Sequence, residues 1–158
     1  MKKSLVLKPA AGKKRDSTIK ERINLAAKWL LTEPAKSLQL LVELISENAE
    51  NVYLWILMAQ AQQRLGASAE AEECLNNAQA VGADNLDLIN AKAEFLYHNG
   101  RFAELNEYLN DVIKLYGYGD KEEVLSLQAL VLLKLNKFDQ AEILYSHLTE
   151  RSPGNWLY

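Results

Sequence analysis

The side chains of this sequence best suited to nucleophilic or metal chemistry are few: one cysteine, Cys74, and two histidines, His98 and His147. A catalytic cysteine needs a lowered pKa, supplied by a nearby cation or a helix N-terminus. Cys74 instead follows Glu72 and Glu73, whose charges oppose a thiolate. One thiol and two distant imidazoles do not make up the ligand set of a zinc site. The sequence contains no HExxH, CxxC, GxSxG or Walker-type glycine loop. Its carboxylates are spread along stretches of helical period, where solvated surface charge is their ordinary role. These residues lead us to expect no catalysis, no metal and no cofactor.

The elements that would position any site are written as a repeat. LGASAEA (Leu65–Ala71), NGRFAEL (Asn99–Leu105) and NKFDQA (Asn136–Ala141) each stand between two apolar helical runs. Anchored on Ala71, Leu105 and Ala141, the spacings are 34 and 36 residues. A period in that range belongs to stacked helical hairpins. With 49% hydrophobic and 25% charged residues, 7 Gly and 3 Pro, the composition is that of a soluble globular chain rich in helix formers. At 158 residues it is long enough for one domain with a continuous core. A single cysteine excludes an internal disulfide framework. No apolar run approaches the length of a membrane span. Met1-Lys2-Lys3 resembles the start of a signal peptide, but the apolar run Leu5-Val6-Leu7 stops at Lys8, too short for a secretory segment.

The net charge of −3 is unevenly placed. Residues 1–22 carry eight Lys/Arg against two acidic residues, +6, and the remainder carries ten against nineteen, −9. Lacking interleaved aromatics, the basic stretch does not read as a nucleic-acid platform. We read residues 1–17 as a basic flexible tail, with Asp16, Ser17 or Thr18 capping the first helix. Residues 18–50 read as a degenerate helix pair: Ile19, Ile23, Ala26, Ala27 and Leu30, then Pro34 opening a second helix with Leu38, Leu41, Val42 and Ile45. Such a unit at one end of a stack serves as a cap. Three repeats follow, at 51–84, 85–120 and 121–155. Their turns fall at Gly66, Gly100 and Asn136, residues that tolerate the left-handed conformation. Ser68 is the expected cap of one returning helix. The two extra residues of the longer repeat fall in Tyr116–Asp120, where insertion is cheap. Asn155–Tyr158 stand where a further helix would start, which suggests a chain cut from a longer protein or an end covered by a partner.

Trp55, Ala59, Gly66, Ala71, Leu75 and Ala78 carry a pattern that resembles the tetratricopeptide repeat, as do Gly100, Phe102, Ala129, Ala141, Tyr145 and Pro153. Small residues (Ala59, Ala93, Ala129) let helix backbones approach while Trp55, Leu75 or Tyr145 fill the space beside them. The departures are Gln62 for an aromatic, Leu105 for a small residue, and Ala83 and Gly117 for the closing proline. The resemblance implies an all-α fold, a right-handed α-solenoid of antiparallel helix hairpins. It also implies a concave groove lined by the leading helices that takes a peptide or helical segment. Helical spacing projects Tyr53, Ile56, Gln60 and Gln63 onto that groove from the first repeat. Asp87, Asn90, Glu94 and Tyr97 follow from the second, and Glu123, Ser126, Leu130 and Leu133 from the third. Exposed apolar anchors among polar side chains suit peptide binding. Three carboxylates there would repel a peptide's terminal carboxylate, so the expected client is basic or apolar.

The expected function is a non-catalytic interaction scaffold, an adaptor in bacterial assembly, biogenesis or secretion. In general repeat positions Asp84–Pro153 are similar to repeat domains of cytochrome c maturation, pilus and secretion systems. The alternative is an oligomerisation module stacking through its C-terminal end, and a third reading is the regulatory part of an enzyme whose active domain lies elsewhere. The expected compartment is the cytoplasm, or the periplasm if the chain belongs to a longer membrane-anchored protein.

Overall fold

The computed structural model describes the backbone of residues 11–151 and the side chains of residues 18–151. Among them eight α-helices and one short 3-10 turn follow one another, without a strand. They fall into two compact units, Met1–Ala83 and Asp84–Tyr158.

The first unit holds α1 (Ala11–Thr32), α2 (Pro34–Glu47), α3 (Val52–Arg64) and α4 (Ser68–Gly82). The first helix starts at Ala11, ahead of the expected Thr18, and Asp16, Ser17 and Thr18 lie inside it. Ala, Lys and Arg are strong helix formers, so the basic cluster Lys13–Arg15 extends the helix backwards. The rest of the expected tail, residues 1–10, lies outside the described residues, as do Pro153 and Asn155–Tyr158. Glu33 alone separates α1 from α2, with Pro34 in the first turn of α2, where its missing N–H costs nothing.

Ala26, Leu30, Leu41, Leu44, Leu54, Leu57 and Ala61 form one buried cluster, with Ile19, Ile23, Leu38 and Met58 packed against it. Ser37 is fully buried in the same region, and its hydroxyl donates to the Ala26 carbonyl at 2.7 Å. A small polar residue there lets α1 and α2 approach and ties them together. The apolar stripe expected of α2 is narrower than its sequence suggests, because Val42 is 52% exposed. Asn48 Nδ2 bonds the Leu44 carbonyl at 2.8 Å to close α2, and the Asn51 side chain caps α3 at the Tyr53 N–H. Trp55, expected to fill a core gap, is half-buried and donates its indole N–H to the Ala49 carbonyl at 2.7 Å.

The second unit holds α5 (Leu86–His98), α6 (Phe102–Tyr116), a 3-10 turn (Tyr118–Asp120), α7 (Glu122–Lys134) and α8 (Phe138–Arg151). Leu88, Ile89, Ala93, Phe95, Leu96, Leu105, Leu109, Val112, Val124, Leu125, Ala129, Val131, Leu132, Ala141 and Leu148 belong to its buried apolar core. Each fully buried Leu or Val stabilises the fold by about 1.5–3 kcal/mol. Gln128, buried on α7, donates to Asn110 Oδ1 of α6 at 2.6 Å, so its amide is not left unsatisfied. The inserted turn is tied at both sides: Tyr118 donates its hydroxyl to the Asp84 carbonyl at 2.7 Å, and Arg151 pairs with the Asp120 carboxylate at 3.0 Å.

The hairpin turns of both units follow the repeat. Gly66, Gly100 and Asn136 have φ of +80°, +70° and +58°. After each, the next backbone N–H reaches back into the preceding helix: Ala67 to Gln62, Arg101 to Leu96, Lys137 to Leu132, all at 2.9 Å. This satisfies carbonyls that a helix end leaves open. Ser68 does not cap α4; Ala67 holds the cap position without a side-chain bond, and Ser68 is the first helical residue.

Candidate protein-interaction surface

The residues projected onto a groove share a 3-4-3 spacing on each leading helix, which keeps each set on one helical face. On α3, Tyr53 is exposed and Gln60 and Gln63 are half-buried. Ile56 does not join them: it is only 4% exposed. One-face spacing gives α3 a single buried arc, whereas α3 packs against α2 and α4. Leu54, Leu57 and Ala61 join the cluster with α1 and α2, and Ile56 and Ala59 are buried outside that cluster. A helix with neighbours on two sides leaves solvent a narrower arc than one-face spacing implies.

On α5, Asp87 and Glu94 are exposed and Asn90 and Tyr97 half-buried. Tyr97 packs edge-on against Phe102 of α6, with ring centroids 5.3 Å apart, so part of its ring is committed to the hairpin. Lys92, on the same helix, lies 5.1 Å over the Tyr108 ring of α6. Burial also pushes the Tyr108 hydroxyl well above its ordinary pKa. On α7, Glu123 is exposed, Leu130 and Leu133 are each 37% exposed, and Ser126 gives its hydroxyl to the Glu122 carbonyl at 2.6 Å. On α5 and α7 the second unit thus exposes two leucines, part of a tyrosine and three carboxylates, with no Lys or Arg at the projected positions.

Cys74 is buried, and its thiol is pushed up to about 11, chiefly by burial and then by Glu73 and Glu70. Of the two carboxylates named from the sequence only Glu73 reinforces the shift, Glu70 taking the place of Glu72, and desolvation leads both. Among the described residues no three His, Cys, Asp or Glu side chains stand close enough to hold a metal ion. Among them, too, no helix is long and apolar enough to cross a membrane.

Two open depressions lie on the last described helix and its preceding turn, and none of the projected positions lines either. One, of ≈570 Å³, is lined by Asp139, Glu142, Ile143, Ser146, His147 and Glu150. The other, of ≈200 Å³, follows Asn136–Gln140. This face belongs to a returning helix and so lies outside the positions that the leading helices project. The signal was nonetheless present, since Ile143 stands where the other two returning helices have Glu73 and Glu107.

No family model and no curated protein sequence matches the chain. Solved structures do. PilF of Pseudomonas aeruginosa is 20% identical with a TM-score of 0.73, over 89% of this chain and 64% of PilF. PilW, described as a widely conserved type IV pilus biogenesis factor, is 17% identical with a TM-score of 0.69, over 86% of this chain and 63% of PilW. YrrB, described as a TPR protein with an unusual peptide-binding site, is 18% identical with a TM-score of 0.64, over 92% of this chain and 77% of YrrB. The chain therefore spans a little under two thirds of the length of the PilF and PilW structures. What these likenesses establish is the fold: an all-α solenoid of helix hairpins, the tetratricopeptide-repeat fold.

Proposed function

We propose that this chain is a non-catalytic scaffold whose leading helices hold a basic or apolar segment of a client protein. The observation that carries the reading is the exposed surface of α5 and of α7: α7 turns Leu130, Leu133 and Glu123 to solvent, and α5 turns Asp87, Glu94 and part of Tyr97. Exposed aliphatic anchors supply contact area, and the carboxylates select against an acidic partner or a free C-terminus. Tyr53, Gln60 and Gln63 on α3 are the corresponding positions of the first unit. YrrB's peptide-binding site and PilW's role in pilus biogenesis support a bacterial assembly or biogenesis adaptor. In this reading the scaffold works in the cytoplasm, or in the periplasm if the chain belongs to a longer membrane-anchored protein. No nucleic acid and no cofactor enter this scheme.

The test is a client pull-down with the native chain beside Glu94→Lys/Leu130→Glu. Both positions are exposed, so the helical circular-dichroism signal should persist, whereas Tyr97 is avoided because of its packing on Phe102. A client retained by the native chain should be lost from the variant. Equal retention by both would refute the assignment.

A further inference from the structure

α8 presents to solvent a stripe that lies outside the proposed groove. Asp139, Glu142, Ile143, Ser146, His147 and Glu150 recur every three or four residues along one helical face and line a single depression. Ile143, within this stripe of three carboxylates, is 68% exposed. With Ala71, Leu105 and Ala141 in register, its equivalents are Glu73 on α4 and Glu107 on α6, both exposed. Two returning helices place a charge at this position, as solvent favours. The third places a branched aliphatic side chain there and keeps acids around it.

The same sequence contains a complement to this stripe. Residues 2–8, Lys-Lys-Ser-Leu-Val-Leu-Lys, set three lysines around Leu5, Val6 and Leu7, and the first 15 residues contain no carboxylate side chain. At full extension Lys2 to Lys8 can reach about 20 Å. Asp139 to Glu150 run about 16 Å along a helix. Lysines at either end can therefore meet carboxylates at either end while the aliphatic trio covers Ile143. The apolar contact sets the position, and the opposite charges set the orientation and speed the encounter.

We propose that this chain self-associates head to tail, with Lys2–Lys8 of one copy lying on the α8 face of a second copy. The two surfaces differ, so each dimer leaves one of each unused, and association continues into a ring or a filament. Salt weakens it, because exposed charges are screened within about 8 Å at 0.15 M ionic strength. The inference stands or falls independently of the groove on α5 and α7.

The test is sedimentation of the full chain over a concentration series at low and high salt, with two charge-reversed variants. Glu142→Lys/Glu150→Lys reverses two of the three carboxylates of the stripe, and Lys2→Glu/Lys3→Glu reverses two of the three lysines of its complement. The native weight-average mass should rise with concentration and fall at high salt, and each variant alone should associate about tenfold more weakly or less. Mixing the two should restore assembly, because each basic segment then finds an acidic α8 and each acidic segment a basic one. Ile143→Glu, which installs the residue of α4 and α6, should abolish association in native and mixed samples. A native chain that stays monomeric at low salt would overturn the proposal. So would association untouched by either reversal, or a mixture that does not reassemble. If α8 instead captures a different protein while the chain stays monomeric, the face belongs to that partner and self-association is wrong.

Discussion

Gly82, the last residue of α4, offers a test in which two physical effects carry opposite signs. It occupies an ordinary backbone conformation, so helix propensity alone makes Gly82→Ala favourable by at most about 1 kcal/mol. Its surroundings argue otherwise. A Cβ built at Gly82 would stand 2.8 Å from Val52 Cγ2, about 0.6 Å short of the 3.4 Å at which ordinary contact begins. Val52 is the first residue of α3 and β-branched, so it cannot swing aside as a lysine tip would. Overpacking of this kind costs about 1–3 kcal/mol. The net effect of Gly82→Ala is then a destabilisation of up to about 2 kcal/mol, a Tm lower by about 4–8 °C for a chain of this size. In a Val52→Ala background the obstacle is gone and only the helix term remains, so the same substitution should become neutral or stabilising. The assay is urea unfolding followed by tryptophan fluorescence in a Trp156→Phe background, which leaves Trp29 and Trp55 of the first unit as reporters. The coupling across the cycle should be at least about 1 kcal/mol, well above the ~0.3–0.5 kcal/mol by which independent sites depart from additivity. If Gly82→Ala stabilises equally in both backgrounds, the close approach of α4 to the start of α3 is not real.

Ala93, fully buried on α5, should not tolerate a large side chain: Ala93→Trp is expected to exceed the usual ~1–3 kcal/mol of overpacking and to lower the thermal midpoint of the helical circular-dichroism signal sharply. An unchanged midpoint would put Ala93 outside a helix contact. Cys74 should react slowly with a disulfide reagent, because with its thiol at about 11 only about one native molecule in a thousand is ionised at pH 8, against roughly one in ten for a thiol at its ordinary value of 9.0. The rate should be on the order of 100-fold below that of the urea-unfolded chain and rise with pH, and a native rate within tenfold of the unfolded one would refute the burial argument. The linked stability follows the same sign: the fold favours the protonated thiol, so its contribution is complete below the unfolded pKa and is lost as pH climbs from about 9 through about 11.

Much of the architecture was legible because the signals that carry it are local. Helix existence depends on propensity and on the spacing of apolar residues, and turn position on residues that accept positive φ. Gly66, Gly100 and Asn136 announce the hairpins, and Ala71, Leu105 and Ala141, all fully buried, mark where the returning helix meets its partner. The candidate surface was less legible. Eleven of the twelve projected positions remain exposed or half-buried, but Ile56 is buried, and one-face spacing cannot reveal that a helix has neighbours on both sides. Tyr97 shows a second limit, since its contact with Phe102 depends on how α5 and α6 close on each other.

The sequence by itself determined the class of structure: repeat length, helical elements, turn residues, the small alanines, and the poverty of nucleophilic or ligating side chains. Each of these is a property of residue type and spacing, and needs no knowledge of what lies across a helix interface. Tertiary structure alone decided which polar groups are spent inside the fold, as with Ser37 on the Ala26 carbonyl and Gln128 on Asn110. It decided that the inserted turn is held by Asp84 and Arg151, residues 34 and 31 positions away from their partners. It also decided that Ile143 faces water where its pattern alone could have meant either core or surface. Burial is a sum over neighbours brought together by the chain's path, and hydrogen bonds between distant residues exist only once that path is complete.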